Sequence, residues 1–302
     1  MANTVDIFKE DHWEDLVDQL KHKKCTPFLG AGACSGTLPL AKDIAHEWAA
    51  DYNYPLSDPW DLARVGQFVS VMRNPNKPKS MLADRLRNIS PPDFNQPDEI
   101  HTLLADAALP IYVTTNYDHF MTNAIEHCKR PYVEDFCRWN PITEHPDYTH
   151  RFPIIDDSFI PKQEKPLIYH LHGHIDCEES IVVTESDYLE FMVRLEDKSK
   201  ELLPPAISSA LAGRSVLFLG YSLMDWNFRI IFKSLMKRYV GSTGMPSVAV
   251  QLPPSDIVDV DRASEYLKKY FSVLQNTEVR VFWGNVKEFT LQLRERGIGS
   301  VI

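Results

Sequence analysis

The chain has 302 residues, 44% hydrophobic and 25% charged, the profile of an ordinary globular protein with room for one large α/β domain or two smaller lobes. Its formal net charge is −10, from 42 acidic and 32 basic residues, which repels phosphate backbones and speaks against direct nucleic-acid binding. No apolar run approaches the roughly 18 residues of a membrane span. The opening "MANTVDIFKEDHWEDL" lacks the basic head and apolar run of a secretory signal, so a cytoplasmic protein is expected.

Five cysteines (Cys25, Cys34, Cys128, Cys137 and Cys177) form no C-x-x-C pair, so neither a thiol redox motif nor a zinc ribbon is encoded. "CTPFLGAGAC" (25–34) reads as a short apolar strand running into a glycine turn, with helical spacing after it over 40–52. Residues 53–110 look helical and irregular, with Leu62, Val65, Phe68 and Val69 on one face and prolines beyond. "LPIYVTTNYD" (109–118) predicts a β-branched strand ending in a polar loop, with a helix over 118–128. Residues 129–165, with five prolines, predict short strands and a surface excursion.

"LIYHLHG" (167–173) and "SIVVT" (180–184) read as strands, and 185–198 as a helix. "RSVLFLGYS" (214–222) predicts a strand entering a turn, and 225–239 an amphipathic helix. Strands at 246–252 and 278–284 alternate with helices at 258–271 and 286–296. Such alternation predicts an α/β fold, a Rossmann-like doubly wound and mainly parallel sheet with a helical and irregular insertion.

In such sheets ligands bind beyond the carboxyl ends of the strands. The four most unusual stretches, "GAGAC", "TTNYD", "HLHGH" and "GYSLMD", all follow strands, so one edge is expected to gather them. The glycines of the first loop fit either a diphosphate lying against the backbone or a plain strand–helix turn. G-x-G-x-x-G itself is not matched, since Ser35 stands where the third glycine belongs. Asn116 and Asp118 can steady a developing positive charge, or turn the chain and cap the following helix. His170, His172 and His174 read as a metal triad, as a base at His172 with bystanders, or as polar residues at a strand end. On a continuous strand His170 and His172 would share a face, whereas Gly173 argues against the continuity that a tridentate site needs. Ser222 and Asp225 read as phosphate or ribose contacts, or as the cap of the next helix.

These loops, in this order, resemble the sirtuin family. Gly30, Ala31, Gly32 and Ser35 resemble its G-A-G-x-S diphosphate loop, one residue longer here through Cys34. Thr114, Asn116 and Asp118 resemble T-Q-N-I-D, with Thr115 and Tyr117 replacing Gln and Ile. Leu171, His172 and Gly173 resemble the catalytic-histidine motif, and Gly220 with Ser222 the later G-T-S. "VFWGNVKEF" is similar to the family's last strand and turn. The four-cysteine zinc module and the F-G-E substrate segment of the deacylases have no counterpart. These features resemble the bacterial sirtuin-like NADases of anti-phage defence.

The resemblance implies one catalytic domain over residues 1–302, with an insertion at about 53–110 and an excursion at about 129–165. It implies an NAD+ glycohydrolase releasing nicotinamide and ADP-ribose, with NAD+ as substrate and neither metal nor flavin. The diphosphate is expected at the 30–35 loop, and the adenosine near Ser222, Asp225, Gly284 and Asn285. Asn116, with Asp118 nearby, is expected to hold the ribose and position a water, and His172 to act as base. Homo-oligomerisation is implied, as is a partner such as a HerA-type hexameric ATPase or a short Argonaute-like protein. A non-catalytic NAD-sensing subunit and a protein deacylase are the alternatives.

Overall fold

The computed structural model describes residues 8–221, 229, 246–251, 262, 265–266, 269–270 and 279–299. Ser222, Asp225 and most of the helices expected at 225–239 and 258–271 lie outside these residues.

Seven strands form one sheet: β1 (Cys25–Leu29), β2 (Ile111–Thr114), β3 (Val133–Phe136), β4 (Leu167–His170), β5 (Ser215–Leu219), β6 (Ser247–Gln251) and β7 (Val279–Trp283). The order is β3-β4-β2-β1-β5-β6-β7, and every pairing is parallel. The chain enters at the central β1, lays β2 beside it and β3 at the edge, inserts β4 between those two, then crosses to β5 on the other side. That reversal is the switch point at which open α/β sheets form a crevice.

The strands are apolar on both faces because both are covered. Along β2, Ile111 and Val113 join a core with Phe191, Ile207 and Leu211. Tyr112 turns to the opposite core, with Trp13, Leu104, Ile125 and Phe289. This is the two-residue period of a strand buried between helical layers. The first face is covered by α8 (Glu185–Leu202) and α9 (Pro205–Gly213). The second is covered by α1 (Glu10–Lys21), α5 (Ile100–Asp106), α6 (Phe120–His127) and the last helix, Val286–Glu295.

A third apolar cluster holds α2 (Ala41–Asp51), α3 (Leu62–Met72) and α4 (Lys77–Arg87) against Ile175, Ile181 and Val183. This helical lobe sits over the ends of β2 and β4. The 129–165 stretch contributes β3, a 3-10 turn at Pro141–Glu144 and the single turn α7 (Pro146–Thr149).

Two expectations fail locally. Residues 181–184 are not a strand: Val182 donates its N–H to the carbonyl of His172, while Val183 and Thr184 donate theirs to the Asp187 carboxylate. The two bonds to Asp187 begin helix α8, and with the bond to His172 they leave these N–H groups no ladder to join. Strand β4 ends at His170, three residues before the expected Gly173. The chain then turns at Gly173, whose φ is +94° and whose missing Cβ would stand 2.1 Å from the Ser180 carbonyl oxygen. Only glycine fits there.

Candidate active site

The loops after β4, β2, β1 and β5 leave four neighbouring strands at the same sheet end. They enclose a cavity of about 420 Å³ together with the helical lobe. Ala31, Asn116, Asp118, His172 and Gly220 line it, beside Thr115, Tyr117, Tyr188 and Tyr221. Its far wall is apolar, from Leu38, Ile44, Leu82 and Leu86.

Asn116 is held through its main chain and its side-chain NH2 group. Its N–H donates to Thr114 Oγ1 at 2.9 Å, and its carbonyl accepts from His170 Nδ1 at 2.9 Å. The side-chain amide donates to the Gly30 carbonyl at 3.1 Å and to Cys34 Sγ at 3.2 Å. Asp118 accepts from the Phe120 N–H at 2.9 Å, which opens helix α6, and from the Cys34 thiol at 3.6 Å. Asp118, one residue before the N-cap His119, thus combines a bond to the helix's first N–H with a place on the cavity wall.

His172 is buried, and its Nε2 has no hydrogen-bond partner. Its ring meets Tyr188 and Phe191 edge-on, with centroids 5.5 and 5.2 Å away. Burial in that aromatic corner pushes its pKa down to about 3, so the imidazole is neutral and keeps a lone pair.

The three histidines do not form one set. Because β4 stops at His170, the two-residue period ends there, and His172 turns to the cavity while His170 and His174 meet Glu134 on β3. The expectation that His170 and His172 share a face is corrected by that break. Glu134 is a partner that sequence reasoning missed, since the adjacent carboxylates of "YVEDF" carry no pattern that singles it out.

The glycine loop is closed on itself. The N–H groups of Gly30, Gly32 and Ala33 donate to the carbonyls of Leu219, Gly220 and Gly30. The Tyr221 ring stands over Gly30, with its hydroxyl 2.7 Å from both the Leu29 carbonyl and Thr115 Oγ1. Thr114 is buried and shapes the turn, and Ser35 ends the 3-10 turn Ala31–Cys34 with its side chain exposed. Gly284 and Asn285 follow β7, two strands beyond β5, and are not among the cavity's described lining. Asn285 caps the last helix, exchanging hydrogen bonds with Glu288. No lysine or arginine stands among the described lining residues, whereas two carboxylates, Asp61 and Asp118, do. That balance suits a cationic group in the cavity.

The model of the SIR2-like domain family matches residues 110–274, more than half of the sequence. The chain belongs to the SIR2-like family. Relatives named NAD(+) hydrolase ThsA include one from Enterococcus faecium, 30% identical over 45% of this chain and 24% of its own length. Another, from Bacillus cereus, is 21% identical over 79% of this chain and 44% of its own. A third, from Acinetobacter baumannii, is 22% identical over 73% and 41%. The chain thus spans less than half the length of each of these relatives. A solved Sir2 enzyme aligns over 95% of this chain and 97% of its own, at 13% identity and a TM-score of 0.40.

Among the described residues no helix is long and apolar enough to cross a membrane.

Proposed function

We propose that this chain is an NAD+ glycohydrolase, one catalytic domain that cleaves the nicotinamide–ribose bond and depletes NAD+ in a bacterial anti-phage defence system. The observation that carries the reading is that Asn116, Asp118 and His172 face one cavity formed by loops of four adjacent strands. Family membership and the relatives named NAD(+) hydrolase support the substrate.

The chemistry follows from charge. Nicotinamide in NAD+ is already cationic, so the electron pair of the breaking C–N bond leaves with the ring nitrogen and neutralises it. The sugar is left as an oxocarbenium-like cation, which the Asp118 carboxylate and the Asn116 amide oxygen stabilise by their orientation. A water adds to the anomeric carbon and passes its proton to the lone pair of the neutral His172, a weak base that suffices because the carbon under attack is already cationic. Nicotinamide, ADP-ribose and a proton result.

The closed glycine loop and the overlying Tyr221 ring favour control by assembly or by a partner, such as a HerA-type ATPase or an Argonaute-like protein, that opens the diphosphate path. The test is to incubate the chain with NAD+, alone and with the product of a neighbouring gene, and follow nicotinamide by chromatography. Asn116→Ala and His172→Ala each abolish nicotinamide release while the fold is retained. Native-rate release by both variants would overturn the reading.

A further inference from the structure

The half-buried Glu134 and the buried His170 and His174 form a cluster beside Asn116, outside the cavity's described lining. Glu134 Oε1 lies 3.2 Å from His170 Nε2 and 3.3 Å from His174 Nε2. The proton positions follow from the partners of the other ring nitrogens. His174 Nδ1 accepts the N–H of Asp176 at 3.1 Å, so the His174 proton sits on Nε2, on the side of Glu134 but without a hydrogen bond to it. His170 Nδ1 faces the carbonyl of Asn116 and must carry a proton. Its Nε2 faces the carboxylate, where a bare lone pair would be repelled, so His170 is an imidazolium donating from both nitrogens.

The electrostatics agree. Burial opposes charge on His170, yet the hydrogen bond and negative charge of Glu134 raise its pKa above the ordinary histidine value. Glu134 is held well below the usual carboxylate range by both imidazoles, against its own burial. His174 is pushed down to about 4, mainly by burial, and stays neutral. A metal ion would need lone pairs on both Nε2 atoms. That would set a proton on His174 Nδ1 directly against the Asp176 N–H, so the cluster is built for protons.

We propose that His170, clamped by Glu134, is the positioning residue for Asn116, gripping its main chain so that its side chain is presented at the cavity. The inference rests on the NAD+-cleaving reading above. The clamp ties β3, β4 and the loop after β2 together at one point, and it uses the only main-chain polar group of Asn116 that Thr114 leaves open.

The test compares His170→Asn with His170→Gln in the full chain. An asparagine amide falls where Nδ1 was and keeps the bond to the Asn116 carbonyl while giving up Glu134. A glutamine amide falls where Nε2 was and does the reverse. Positioning therefore predicts opposite rankings. His170→Gln loses kcat by roughly tenfold or more with KM within about threefold, because loop displacement costs turnover more than binding. His170→Asn retains more kcat yet melts lower, because both variants remove the cation but only His170→Asn also leaves Glu134 without its hydrogen-bond donor. Equal kcat in the two variants, or kcat following the melting order, overturns the proposal.

If His170→Asn fails to fold, adding Glu134→Gln removes the buried charge and the comparison is made in that background. If the native chain leaves NAD+ intact, the functional reading fails on its own. Hydrogen exchange over residues 114–118 then decides the positioning, with faster exchange in His170→Gln than in His170→Asn expected and equal exchange overturning it. Stoichiometric zinc in the purified native chain that is lost with Glu134→Gln overturns it as well.

Discussion

Gly220 and Ala33 approach so closely that a Cβ at residue 220 would stand 2.1 Å from the Ala33 amide nitrogen. Gly220 also has φ of +77°. The turns after β1 and β5 are therefore pressed together backbone to backbone, and the Gly32 N–H bonds the Gly220 carbonyl across the seam at 2.9 Å. Gly220→Ala meets two penalties at once, left-handed strain and overpacking against main chain, together about 2–5 kcal/mol. Chemical denaturation should show that loss, with NAD+ cleavage falling too because the 30–34 turn is displaced. A variant within about 0.5 kcal/mol of native would mean the two turns separate more easily than this packing allows.

The depressed pKa of His172 has a signature in stability. In the unfolded chain the imidazole titrates near 6.5, while burial holds the folded value at about 3. Between those values the unfolded state binds a proton that the folded state does not. The contribution of His172 is thus fully present above pH 6.5 and is lost as the pH falls towards 3. From pH 7 to pH 5 the loss is about 2 kcal/mol. His170 and His101 act in the opposite direction: their folded values are raised, so their contribution is present below the unfolded value and lost as the pH rises through the folded one. The prediction is therefore a difference. The stability of the native chain minus that of His172→Gln should shrink by about 2 kcal/mol from pH 7 to pH 5. An unchanged difference would mean that His172 is solvated.

A second buried pair supports the wall on which His172 sits. Lys79 Nζ lies 2.8 Å from Asp187 and 4.9 Å from the centre of the Trp139 ring. Trp139 in turn donates to the Ser180 carbonyl at 2.7 Å. Removing the lysine strands a carboxylate that two main-chain N–H groups satisfy only in part, so Lys79→Met should cost about 3 kcal/mol. Lys79→Met with Asp187→Asn should recover part of that loss, and a double-mutant cycle on denaturation midpoints measures the coupling. Strictly additive single costs would show that the pair contributes packing alone.

Much of this architecture was legible in the sequence because a buried parallel sheet writes itself as apolar, β-branched runs stopped by glycine. "PFLG", "IYVT" and "VLFLG" could be read for that reason, and so could the convergence of their loops. What could not be read depends on where a strand stops. "SIVVT" has strand composition, but its N–H groups are claimed by His172 and Asp187, partners fixed only by the tertiary fold. In "YHLHGH" one early strand end sends His172 towards the cavity and His170 to Glu134. Helices α1 and α9 went unmarked, the first lying ahead of the first glycine signal and the second being a short run of small residues. Glu134 and Cys34 stayed hidden because each matters only through the Asn116 group it touches or helps to hold.

Cys34 makes that point testable. Its thiol donates to Asp118 at 3.6 Å and its sulfur accepts from the Asn116 amide at 3.2 Å, so it joins the two residues expected at the reacting sugar. Burial, reinforced by the negative charge of Asp118, raises its pKa well above that of an ordinary thiol, leaving almost no thiolate at neutral pH. Alkylation with iodoacetamide at pH 8, read by peptide mass spectrometry, should therefore spare Cys34 in the folded chain and modify it only after unfolding. The half-buried Cys128 should label sooner. Cys34→Ala frees the Asn116 amide from one of its two acceptors and removes a donor from Asp118, so kcat should fall by roughly tenfold with a smaller change in KM. Cys34→Ser restores both hydrogen bonds with a smaller atom and should recover most of that loss. Rapid labelling of Cys34 in the native chain, or equal turnover in Cys34→Ala and the native chain, would remove the thiol from the set of groups that hold Asn116 in place.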